Sequence, residues 1–76
     1  MPKQMTADEF RRLLEHFDLN HTLAAQLLAV EKRTIRRYAS GESEVTQQIT
    51  MILRLLRRHK ITPDSAFKLA TGRELR

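Results

Sequence analysis

Apolar residues along this chain recur at helical spacing and almost nowhere alternate. Phe10, Leu13, Leu14 and Phe17 are separated by 3, 1 and 3 positions, which lines one face of a helix. Ahead of them, Thr6-Ala7-Asp8-Glu9 sets a threonine three residues before a glutamate, a reciprocal cap that satisfies two orphan amides. A first helix is therefore expected over about residues 7–17, ending at Asp18-Leu19. Asn20 is placed to cap a second over about 21–29, where the small Ala24-Ala25 pair admits a close neighbour. A third is expected over about 32–40, with Gly41 just past its end. After the polar segment Gly41-Glu42-Ser43-Glu44, the residues Val45, Ile49, Ile52, Leu53 and Leu56 predict a longer fourth helix over about 45–59. Thr62-Pro63-Asp64 restarts the chain with a cap, a proline in the first turn and an acid facing the helix dipole. Ala66, Phe67 and Ala70 then give a fifth helix, over about 63–71, its apolar face, and Gly72 ends it. No β-branched run alternates with period 2, so strands are not expected. The fold class is all-α: five helices around one small core in a single domain, 1–76, whose C-terminal helical segment, 61–76, is available for dimerisation.

The third helix is the least ordinary of the five. At about 100° per residue, Lys32, Arg33, Arg36 and Arg37 fall within an arc of roughly 140°, while Ile35 and Tyr38 lie at roughly 300° and 240°. One edge of this helix must be buried and the other attracts an anion. A short helix held by its apolar edge with a basic edge projecting is what the major groove of DNA admits.

Composition sharpens this picture only in part. A chain of 76 residues with 41% hydrophobic and 30% charged positions suits one folded domain with a limited core. The net charge of +5 makes an anionic partner reasonable. No cysteine is present, so disulfides and thiolate metal sites are excluded. No apolar run approaches the roughly 20 residues that span a membrane. Met1-Pro2-Lys3-Gln4-Met5 lacks the apolar stretch of a secretory signal, and a cytoplasmic location is expected.

Enzymatic chemistry finds no footing. His16, His21 and His59 have no spacing suited to a shared metal, so neither a metal nor a cofactor is expected. Asp8 and Glu9 read as dipole partners in a first helical turn rather than an acid–base pair. No set resembling a nucleophile, base and orienting acid is present, nor any glycine-rich phosphate loop.

The second to fourth helices resemble the helix-turn-helix of the Cro/phage-repressor (XRE-like) family. The matching residues are Ala24-Ala25, Leu27-Leu28, Val30, Thr34-Ile35, Arg37-Tyr38, Gly41 and Val45, about the middle half of the chain. Two positions depart from the family pattern. Ala29 stands where the turn usually has glycine, a modest change if its backbone stays near helical values. Glu31 stands where a small N-cap is usual, and it caps less well than serine while its charge still favours a helix start.

By position, the resemblance implies that Lys32, Arg33 and Arg37 reach base edges and that Arg36 reaches a base or the backbone. It likewise implies that His21 touches a phosphate, and Ser43 is placed to donate to another. Arginine offers two parallel donors to guanine O6 and N7, worth about 1–3 kcal/mol of discrimination, so guanines are expected in each half-site. Small stand-alone members of the family are regulators of phages and mobile elements, including autorepressors encoded beside anti-CRISPR genes and antitoxin-like proteins. The expectation is a homodimeric transcriptional repressor, acting on its own or a neighbouring promoter, bound to an inverted repeat in double-stranded DNA.

Some residues admit two readings. Leu23, Leu27, Met51 and Leu55 exceed what one apolar stripe needs; they cover the fifth helix or form a homodimer seam. Phe67 and Leu69 are the further candidates for that seam. Arg54, Arg57, Arg58, His59 and Lys60 form a second basic cluster, for which neutralising a helix C-terminus is sufficient reason. Two other functions stay open: an antitoxin-like module whose main partner is a protein, and RNA binding through the same basic helix. RNA recognition usually adds exposed aromatics, and this chain has three Phe, one Tyr and no Trp.

Overall fold

A computed structural model of the chain describes residues 5–75 and contains, among them, five α-helices and no strand. These are α1 (Ala7–His16), α2 (His21–Leu28), α3 (Lys32–Ser40), α4 (Gln47–Arg58) and α5 (Pro63–Thr71). The all-α, five-helix expectation is thus met. Residues 1–4, which carry most of the segment read as lacking a signal, and residue 76 lie outside the described part. No helix among the described residues is long and apolar enough to cross a membrane.

Capping chemistry sets where the helices begin. Thr6, Asn20, Thr46 and Thr62 each accept the amide N–H three residues on, at 3.1, 2.8, 3.3 and 3.2 Å. Each bond satisfies one donor that the first helical turn leaves without a partner. Glu31, the N-cap of α3, makes no side-chain cap bond, as its longer side chain implied.

A second rule sets where they end. Asp18, Ala29, Gly41, Lys60 and Gly72 follow the five helices in turn, and all have a left-handed backbone, with φ of 56°, 57°, 85°, 56° and 74°. After three of them the next amide closes the helix backwards: Leu19, Val30 and Ile61 donate to the carbonyls of Leu14, Ala25 and Leu56 at 2.8, 3.1 and 2.9 Å. Leu19 is buried and Val30 packs against the core, so the closure is hydrophobic as well as hydrogen-bonded. Ala29 does not meet the condition under which alanine would be a modest change there. It sits at φ 57°, ψ 42°, where a Cβ crowds the backbone and costs about 1 kcal/mol relative to glycine.

The core gathers around α1 and α3. Phe10, Leu13, Ile35, Val45 and Leu53 are fully buried, and the Phe10 and Tyr38 rings meet edge to face, with centroids 5.6 Å apart at 78°. Leu23 and Leu27 are partly buried against this core rather than free. Arg11 adds a polar tie, because its guanidinium donates to the carbonyl of Ala39 in the last turn of α3 while also pairing with Asp8. So α3 is fixed to α1 by an apolar edge and a hydrogen bond together.

Three expectations about α4 and α5 need correction. Val45 is buried but lies before the helix, because Thr46 is the cap and α4 starts at Gln47. Ile52 is 44% exposed, since the buried stripe of α4 consists of Ile49, Thr50, Leu53 and Leu56. Phe67, a candidate for a dimer seam, is only 6% exposed; with Pro63, four residues earlier, it forms the buried side of α5.

Candidate nucleic-acid interface

Burial of Ile35, Tyr38 and Ala39 leaves α3 one orientation, and that orientation turns its basic edge outward. Lys32, Arg33, Arg36 and Arg37 are all exposed, on the side of the helix away from the core. Among the described residues, Lys32, Arg33 and Arg36 have no ion-pair partner, whereas Arg37 has one. Its Nε lies 3.2 Å from Oε2 of Glu42. Arg33, Arg36 and Arg37 line a shallow depression with Ser40 and Glu42.

Polar side chains flank both ends of this helix. At its start, Lys32 shares a notch with Arg11, His21 and Thr22, with Glu15 on the α1 side. The structure therefore brings His21, half-buried at the first position of α2, beside the first of the four cations. At the other end Ser43 is half-buried in the connection to α4, its amide donating to the Arg37 carbonyl at 3.2 Å. With nine residues, α3 is about 13 Å long, comparable to a major groove about 12 Å wide.

The basic residues late in α4 are a separate group. Arg54 turns to Glu9 of α1, which removes it from the solvated cluster expected there and gives Glu9 a role besides facing a dipole. Arg57 and Arg58 lie in the last turn of α4, where cations offset the carbonyl end, and Lys60 supplies the left-handed residue that follows.

The apolar residues proposed as a seam divide. Met51 and Leu55 are 53% and 50% exposed on α4, and Ile52 belongs with them. Leu69 is 87% exposed on α5, while Phe67 drops out. Sequence reasoning missed Arg11 and Glu42. Arg11 lay beside an apolar stripe and gave no hint of reaching the end of α3. Glu42 meets Arg37 only because Gly41 folds the chain back, which brings residues five apart together. No family model matches the chain, and no curated protein or solved structure matches it.

Proposed function

We propose that this chain is a sequence-specific double-stranded DNA-binding protein of the Cro-like helix-turn-helix type, acting in the cytoplasm as a transcriptional repressor of its own or a neighbouring promoter. The observation that carries this reading is α3: buried along Ile35, Tyr38 and Ala39, exposed along Lys32, Arg33, Arg36 and Arg37. In this reading α2, the turn at Ala29, Val30 and Glu31, and α3 form the motif, and α3 enters the major groove. His21 and Ser43 bind phosphates on either side. Two copies bind an inverted repeat, placing their α3 helices about 34–36 Å apart in successive grooves. The exposed Met51, Ile52 and Leu55 of α4 form the seam between copies, with Leu69 of α5 as the second candidate surface.

RNA is a weaker match as main ligand. Phe10, Tyr38 and Phe67 are buried and Phe17 is half-buried, so no phenylalanine or tyrosine is fully displayed for stacking on splayed bases. An antitoxin-like role would use the same exposed face of α4 for a different protein.

Selection of bound sequences from random duplex DNA tests the proposal, followed by titration of the winner against scrambled DNA. The expected outcome is a guanine-containing inverted repeat with a specificity ratio of about 10³ or more. Weak, salt-sensitive binding without enrichment would overturn the proposal in favour of a protein or RNA partner.

A further inference from the structure

We infer that Glu42 is a positioning residue for Arg37, holding its guanidinium so that the terminal amino groups address the guanine of one base pair. This inference rests on the DNA-binding reading above and assigns a specificity-determining role to a residue outside the basic edge itself.

The geometry begins with the carbonyl of Arg37. It accepts the Ser43 amide at 3.2 Å and the Ser40 hydroxyl at 3.2 Å. The Ser40 hydroxyl in turn accepts the Glu42 amide at 3.3 Å, and the Gly41 amide returns to the Tyr38 carbonyl at 3.3 Å. Gly41, at φ 85°, makes the reversal possible. The backbone bearing Glu42 is thus tied to the backbone bearing Arg37 before their side chains meet. The side chains then pair at Nε, the inner nitrogen of the guanidinium.

The point of attachment matters chemically. A guanidinium is a rigid plane with one donor on Nε and two on each terminal nitrogen. The carboxylate approaches nearest to Nε rather than to a terminal nitrogen, so both terminal nitrogens keep their donors for an outside acceptor. Those donors match the O6 and N7 acceptors of guanine. Restricting the side chain beforehand lowers the ordering cost of that contact. The same carboxylate repels phosphate on every sequence, which lowers non-specific affinity. Only the first effect raises the ratio of specific to non-specific binding, because the repulsion acts on every duplex alike. Stability is not the reason for the pair, since its two side chains are 47% and 66% exposed and such pairs contribute little to folding.

The test compares the wild-type chain with Glu42→Gln, Glu42→Ala, Arg37→Ala and the Glu42→Gln, Arg37→Ala double variant. Each is titrated against the selected duplex, every single-base-pair variant of a half-site, and scrambled DNA. Thermal melting checks that all of them fold. With Glu42→Gln, scrambled DNA should bind more tightly, and discrimination should fall a few-fold at one base pair. That base pair should be the one relaxed by Arg37→Ala, and in the Arg37→Ala background Glu42→Gln should change discrimination nowhere. Glu42→Gln tightening every duplex equally, with base preferences intact, would make Glu42 a mere counter-charge and overturn the inference. Relaxation at a base pair unaffected by Arg37→Ala would also overturn it. If the wild-type chain selects no duplex at all, the DNA reading itself fails and takes this inference with it.

Discussion

Arg54, midway along α4, grips Glu9 in the first turn of α1 through two parallel contacts, Nε to Oε2 at 3.0 Å and Nη2 to Oε1 at 2.9 Å. The hydrogen bond to Glu9 raises the guanidinium pKa, and burial opposes it less strongly. The pair matters for what it joins. Glu9 precedes Phe10, whose ring supports Tyr38 on α3, so α4 is linked to the basic helix through α1. Both side chains remain about one-third exposed, which tempers the energy of even a bidentate pair. Glu9→Ala and Arg54→Ala should each lower stability by about 1 kcal/mol, with a coupling of similar size in a double-mutant cycle. Urea denaturation measures this, and additive single effects would show that the pair contributes nothing to folding.

Ala29 offers a test in the opposite direction. Its left-handed backbone is one that glycine adopts freely, and its side chain is exposed, so little packing is lost on removing the methyl group. Ala29→Gly should therefore raise stability by about 1 kcal/mol, a higher urea midpoint at unchanged slope. Gly41→Ala should do the reverse by a similar amount: its new Cβ would lie 3.7 Å from that of Ala7, so the penalty comes from φ rather than a clash. A drop in midpoint for Ala29→Gly would mean that the turn is held by something other than this conformation.

The helices were legible in the sequence because their signals are local. A threonine or asparagine cap, a 3.6-residue stripe and a stop each act within one turn, and all five helices start or stop within two residues of expectation. What escaped was set by tertiary packing. Val45 looked like the first residue of α4, yet an apolar side chain packs equally well from the residue before a cap. Phe67 fitted both the apolar face of α5 and the seam, and its place on the same side as Pro63 turned it inward. The basic edge of α3 was readable from periodicity alone. Its two tethers, Arg11 to Ala39 and Glu42 to Arg37, were not, because the first joins residues 28 apart and the second depends on a left-handed glycine.

Contacts to bases and contacts to phosphates should separate cleanly in mutant titrations. Arg33→Ala and Arg37→Ala should each cost about 1–3 kcal/mol on the selected duplex and relax preference at particular positions. His21→Ala and Ser43→Ala should weaken binding nearly evenly across sequences, because phosphates carry no sequence information. Operator affinity should also fall steeply with salt as counterions are released. Titration of each variant on a panel of single-base-pair changes, at several salt concentrations, reads all three effects. An even loss for Arg33→Ala would move that side chain from base to backbone.

The seam between copies is tested by contrasting two apolar residues that the sequence treated alike. Leu55 is half exposed on the side of α4 shared with Met51 and Ile52, whereas Phe67 is buried with the core-facing side of α5. Leu55→Glu places a charge on the surface of a folded monomer and inside the proposed seam, where its desolvation would be unfavourable. It should yield well-folded monomers that bind the inverted repeat more weakly and with less cooperativity. Phe67→Glu puts the same charge beneath α5 and should lower the melting temperature or unfold the chain outright, whatever the oligomeric state. Analytical ultracentrifugation alongside thermal melting distinguishes these outcomes. A Leu55→Glu variant that remains dimeric and binds normally would remove α4 from the interface and leave Leu69, the most exposed large apolar residue described, as the surface to examine next.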